Sequence, residues 1–262
     1  MKNYCLLFLL IISYPLFAQD TFQLAQPLVK YSSVFFSDRA VIEMKFAQSE
    51  TEIHYTLNKQ EPTINDPVYK KSVIVKNNFT TVKAKAFGNN FHPSETITTT
   101  FIKKGKAIQS IQQTTPNTKY KGNGANTLID NKGGIAQLNR NTWMGYNCDT
   151  VAVTMNLQKE QTVSKVLVNF LQDEGSWIFM PDEIIVKWFD KKTNSYQLLG
   201  EEKIAADKET SGSHCNYRII KIKSKIQTDK ILINIIVKKN IPAWHPAKGE
   251  HGWVFIDEVK VY

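Results

Sequence analysis

Two short loops carry the residues best suited to hold a ligand. Trp244 and His245 stand between Pro242 and Pro246 in IPAWHPAKGEHGWVFIDEVKVY, residues 241–262. Trp177 closes the run Asp173-Glu174-Gly175-Ser176-Trp177, and Asn147 follows Trp143 in a third loop. A tryptophan face offers an apolar platform to a pyranose ring, and an imidazole or a carboxamide adds fixed polar contacts. Prolines around Trp244 restrict the backbone and lower the entropy cost of holding the ring ready. Trp177, Trp244, His245 and Asn147 are therefore the candidate carbohydrate-binding residues, and Trp177, Trp244 and His245 are expected to lie at one end of one fold. Trp177 has a second reading, as a cap on the core. Trp143, Trp188 and Trp253 flank or alternate within apolar strands and are assigned to the core.

Catalytic chemistry has fewer carriers. The dipeptides Asp173-Glu174, Asp182-Glu183 and Asp257-Glu258 are paired carboxylates, but 24 acidic residues produce such pairs by chance. No Gly-x-Ser-x-Gly elbow occurs. Gly122-x-Gly124 lacks the third glycine and the βαβ setting of a dinucleotide loop. His54 and His92 are far apart in sequence and read as surface or core fillers.

The first residues form a leader: Lys2, the apolar run 4–12, then Ala18 before a polar stretch. This pattern predicts a signal peptide over residues 1–18 and export to the periplasm, cell surface or extracellular space. The apolar run is shorter than the roughly 20 residues a bilayer requires, so no membrane span is expected. The exported chain keeps Cys148 and Cys215. They form either one disulfide or two separate thiols, since sequence supplies no distance. The net charge of +9 comes from lysine, with arginine only at positions 39, 140 and 218. Scattered lysines indicate a solvated basic surface and no nucleic-acid partner.

The elements that must position these residues are strands. Over residues 22–103, alternating runs at 41–46, 52–57, 73–75, 80–86 and 96–102 are separated by Asn-, Pro- and Gly-rich turns, which predicts a β-sandwich. Over residues 105–262, strands read at 151–157, 163–170, 183–189, 196–199, 217–222 and 230–237, with a strand end at Leu128-Ile129-Asp130 and a final strand from Trp253. About eight strands are a jelly-roll number. Residues 105–116 are a linker or a first edge strand. No sustained helical period appears.

The wording of the first module resembles the fibronectin III/Ig-like domain found at the C-terminal side of chitobiases and β-hexosaminidases. The resemblance rests on Ile53, Tyr55, Thr56, Glu61, Pro62, Thr63, Lys83, Ala84, Ala86, Pro93 and Ser94. The second module resembles the discoidin, or F5/8 type C, family, a galactose-binding-like β jelly roll. Tyr120, Gly122, Gly124, Thr127, Leu128, Asp130, Gly134, Trp143, Gly145, Trp177, Pro181, His245, Gly249, Trp253, Asp257 and Glu258 carry it. The usual Asp-Gly turn of that family is Asp130-Asn131 in this sequence, and asparagine tolerates the left-handed geometry the turn needs.

Together the two resemblances imply an all-β chain built from accessory modules of family 20 β-hexosaminidases. That family's catalysis uses an adjacent Asp-Glu pair in a βα barrel of about 250 residues, and this sequence has no such alternation. The implied function is non-catalytic binding of N-acetylhexosamine- or galactose-containing glycans. The alternative is a structural or protein-interaction module that contacts another secreted protein. Many relatives hold a structural calcium ion, which implies hard oxygen ligands at Asp130, Thr142 and Glu258.

Overall fold

The computed structural model describes residues 22–138, 141–205 and 209–262. The leader expected over residues 1–18 and Arg140 lie outside them. The chain is all-β, with 53% strand and 3% helix. No helix among the described residues is long and apolar enough to cross a membrane.

The first module contains β1 (Phe22–Gln23), β2 (Leu28–Lys30), β3 (Phe35–Phe36), β4 (Ala40–Lys45), β5 (Thr51–Thr56), β6 (Val73–Val75), β7 (Thr80–Gly88), β8 (Phe91–His92) and β9 (Ile97–Lys103). Strands β2-β4-β6 make one sheet and β3-β9-β7-β5 the other, while β1 pairs with β8. Side chains alternate across a strand, so β4 sends Ala40, Ile42 and Met44 inward and leaves Val41 outside. Ile53, Val73, Val75, Val82, Ala84 and Phe101 complete that core. His54 is a core filler: it is buried, packs edge-on against Phe87 and bonds the Asp66 carbonyl.

The second module contains β10 (Ile108–Gln113), β11 (Met144–Tyr146), β12 (Thr150–Gln172), β13 (Glu183–Asp190), β14 (Ser195–Lys203), β15 (His214–Ile236) and β16 (Val254–Val261). The 105–116 segment thus supplies an edge strand, paired with β12. The pairs of runs expected as four separate strands are two continuous ones. β12 and β15 pair antiparallel from Thr150↔Ile236 to Gln172↔His214, with register shifts between Asn156 and Gln161 and between Val163 and Lys165. Such irregularities bend a ribbon without ending it. The first half of this ribbon pairs with β10 and β13, and its second half pairs with β16. One ribbon therefore serves both layers of the jelly roll. Val151, Val153, Met155, Ile231 and Ile233 from its first half meet Val166, Val168, Phe170 and Ile220 from its second.

Leu128-Ile129 is not a strand end but part of a 3-10 turn, Ala125–Ile129. The Thr127 hydroxyl accepts from Asn123 N (2.8 Å) and donates to the Gly124 carbonyl (2.8 Å), which coils the segment locally. Asn131 adopts φ 59°, the left-handed turn anticipated for it.

The modules dock through the outer face of the second layer. Val34, Phe35 and Ile102 pack against Leu167, with Tyr217, Ile219 and Tyr262 around them. Lys106 N donates to the Val261 carbonyl (2.7 Å), and the Tyr262 hydroxyl donates to the Lys103 carbonyl (2.8 Å). Gly105 lies so close to the Val261 carbonyl that a Cβ would collide with it.

Cys148 and Cys215 are free thiols. A bridge does not form because the second layer stands between them: Cys148 packs against the inner core, and Cys215 packs outside it beside Trp143 and Leu171. Burial pushes both thiols up from their ordinary range.

Candidate functional site

Four connections cross between the layers at one end of the jelly roll. They join β11 to β12 (147–149), β12 to β13 (173–182), β14 to β15 (described at 204–205 and 209–213) and β15 to β16 (237–253). Asn147, Trp177, Trp244 and His245 all fall on these connections, so the topology brings the four together at one end.

The 173–177 turn is a short 3-10 segment, Glu174–Ser176, ending on Trp177 with φ 63°. A left-handed backbone is rare for a bulky side chain and persists only where its surroundings hold it. Here the holders are specific. Trp177 N donates to the Glu174 carbonyl, Trp253 N donates to the Trp177 carbonyl, and Ile178 forms bridges to Asp173 and Trp253. Trp177 is 43% exposed and Trp244 is 38% exposed. Trp244 rests against Phe179 at 6.3 Å between ring centroids, two residues along from Trp177.

His245 has a different role from the one its sequence position suggested. It is buried, its Nε2 is 3.0 Å from the Glu174 carbonyl, and its Nδ1 accepts from Ala247 N at 3.1 Å. With both ring nitrogens engaged, it ties the Trp244 loop to the Trp177 turn and does not face a ligand hydroxyl. Asn147 is exposed, and its Nδ2 donates to the Gly252 carbonyl (3.1 Å) beside His251.

Sequence reasoning missed the residue that organises this end. Glu174 is buried, with Oε1 accepting from Gln172 Nε2 (2.8 Å) and Oε2 accepting from Thr210 N (2.8 Å). Its carbonyl also receives Trp177 N and His245, so one residue joins three connections. Asp173 adds a link, accepting from the Ser213 hydroxyl (2.7 Å) and the Ser176 hydroxyl (3.1 Å). The clue available in sequence was an acidic pair in a loop otherwise chosen for its tryptophan. Asp182 is likewise engaged, paired with Lys238 at 2.7 Å. Trp143 is fully buried as expected, while Trp188 and Trp253 are partly buried at the edges of core clusters.

The third acidic pair lies on the outer face of β16, away from the loop end. Asn169 pairs with Glu258 and Phe170 with Ile256, which makes Asp257 the extra residue of a bulge. Asp257 is fully buried and accepts from Gly134 N (2.6 Å) and Asn169 Nδ2 (2.7 Å). Burial pushes its carboxyl up to about 7, and these two hydrogen bonds pull it back. Glu258 is buried rather than at the surface. It accepts from Asn131 N (3.0 Å) and from the Lys260 ammonium (3.0 Å). Burial pushes Glu258 up to about 8, and burial draws Lys260 down, each charge opposing the shift of the other.

Calcium does not fit this set of residues. Asp130 Oδ1 is committed to Lys132 N (2.8 Å), and Glu258 and the Asn131 carboxamide are committed to Lys260. Thr142 sits in the turn before β11. A calcium ion takes about six to eight oxygen ligands, and the ammonium stands among the ones this loop would give. Among the described residues, no cluster of three or more His, Cys, Asp or Glu side chains is arranged for a metal.

The fold and the loop end thus define a two-module all-β chain with a tryptophan-bearing end. Residues 42–101 match the family model described as Fn3 associated. No curated protein sequence matches the chain. Among solved structures, the family 32 carbohydrate-binding module of Streptococcus pneumoniae EndoD is similar at 16% identity, covering 61% of this chain and 96% of that one, TM-score 0.41. The CBM32-5 module of Clostridium perfringens CpGH89, solved with GalNAc-β-1,3-galactose, is similar at 13% identity over 58% of this chain and 94% of that one, TM-score 0.38. A Ruminococcus gnavus GH29 fucosidase is similar at 13% identity over 58% of this chain, TM-score 0.34, and the chain spans 24% of that enzyme.

Proposed function

We propose that this chain is an exported, non-catalytic glycan-binding protein, made of accessory modules of the β-hexosaminidase type. Its ligands are glycans that contain N-acetylhexosamine or galactose. One observation carries the reading: Trp177 and Trp244 are large, solvent-facing rings on adjoining connections that buried Glu174 and His245 hold in place. A sugar stacks on a tryptophan held this way with little ordering cost. A glycan array probed with the purified chain tests this. Sugar-specific binding is expected, weakened in Trp244→Ala and in Trp177→Ala by about 1–3 kcal/mol each, or roughly fivefold to more than a hundredfold. A flat array together with a co-purifying secreted protein would favour the interaction-module reading instead.

No hydrolysis of aryl N-acetylhexosaminides is expected. Asp173, Glu174, Asp182, Asp257 and Glu258 are occupied in holding loops and strands together. Turnover by a clean preparation that disappears in Glu174→Gln or Glu258→Gln would contradict this.

A further inference from the structure

Lys260 is buried, at 2% exposed, and Glu258 on the same strand is at 1%. A lysine buried this deeply is rare unless it is paired. Its ammonium has three partners: Glu258 Oε1 at 3.0 Å, Asn131 Oδ1 at 2.6 Å, and the face of Phe35 at 4.9 Å from the ring centroid. Two of these come from the second module and one from the first. The ammonium therefore lies where the 130–134 loop, the β16 bulge and the first module meet.

We propose that the Lys260 ammonium replaces a divalent metal in this jelly roll, pinning the Asp130–Gly134 loop to β16 and clamping the first module through Phe35. The chemistry fits the geometry. A buried carboxylate requires a nearby positive charge or hydrogen-bond donors, and Glu258 receives the ammonium and Asn131 N. The ammonium's own charge is met by a carboxylate, a carboxamide oxygen and the negative face of an aromatic ring. A metal in the same place would have to displace Lys260 from a strand residue that has nowhere else to send its charge. The small cavity beside it is lined by Lys104, Gly105, Lys106, Asn131, Glu258 and Lys260, and three lysines around one cavity disfavour a dication there.

The test is a thermal melt of the full exported chain in EDTA and in millimolar calcium. The two melting temperatures should coincide. A resident calcium ion at 100 times its Kd would instead separate them by about 5 °C or more. Lys260→Met removes the charge while keeping the stem, and it should melt at least about 5 °C lower in EDTA and be cut faster between the modules by protease. A wild-type melting temperature that rises by several degrees with calcium would overturn the proposal. So would a Lys260→Met protein that melts with the wild type. If Lys260→Met yields no folded protein, the wild-type comparison alone decides. Neither result depends on whether the Trp177–Trp244 end binds a glycan.

Discussion

Asp257→Ala should lower the stability of the second module by about 2–6 kcal/mol, since each buried donor left without a partner costs roughly 1–3 kcal/mol. The carboxylate lies at the bulge of β16 and accepts from Gly134 N and Asn169 Nδ2. One donor belongs to the loop above the strand and the other to β12, so the substitution strands both and leaves a cavity. The loss is amplified because Gly134 packs directly against Val34 of the first module, so a released loop also loosens the docking of the two modules. Asp257→Asn keeps one carbonyl acceptor in nearly the same volume and should recover part of the loss. Denaturant unfolding of the three proteins gives the comparison. Equal midpoints for wild type and Asp257→Ala would show that the bulge is held by packing alone.

Glu174→Ala should cost affinity without touching the ligand. The side chain closes two hydrogen bonds, to Gln172 Nε2 and Thr210 N, and the same residue's carbonyl receives His245. Removing the carboxylate frees the 209–213 segment and unseats the turn that holds Trp177 in its left-handed conformation. Binding must then pay to reorder the ring, and a reordering cost of about 1.4 kcal/mol is a tenfold loss. More than tenfold weaker binding to the glycan selected on the array is expected, with both tryptophans intact. Amide hydrogen exchange over residues 173–177 and 209–213 should rise in the free protein. Unchanged exchange with weakened binding would mean that Glu174 itself faces the sugar.

Much of this architecture was legible from residue pattern. Alternation between polar and apolar positions marked five of the nine strands of the first module, because each main sheet has one buried face, and the short strands β1, β2, β3 and β8 left no such signal. The placing of Trp177, Trp244 and His245 at one end followed from their positions in inter-strand loops. Other features left no local signal. The polar stretch at Gln158–Gln161 reads as a turn between strands, yet β12 continues through it because β15 bends alongside it. His245 between two prolines reads as exposed, and only the carbonyl of Glu174, distant in sequence, explains its burial. Lys260 reads as an outward residue of an alternating strand. Its burial depends on Phe35 and Asn131, which the sequence places far from it.

The bent β12–β15 ribbon has a consequence for how the second module forms. Each of its strands runs through both layers, and β16 sits between β11 and β12. Neither layer can close on its own, because only the edge strand β10 precedes β12, and its other partners arrive more than forty residues later, at 214–236, and later still at 254–261. Contacts between distant segments must meet their loop-closure entropy before any packing rewards it, which places such topologies among the slow folders, in milliseconds to seconds. The first module is built from shorter-range pairings such as β5 with β7 and β7 with β9. Those pairings can form early, whereas the docking surface of Val34, Phe35 and Ile102 waits on the long-range pairing of β3 with β9, Phe35↔Ile102.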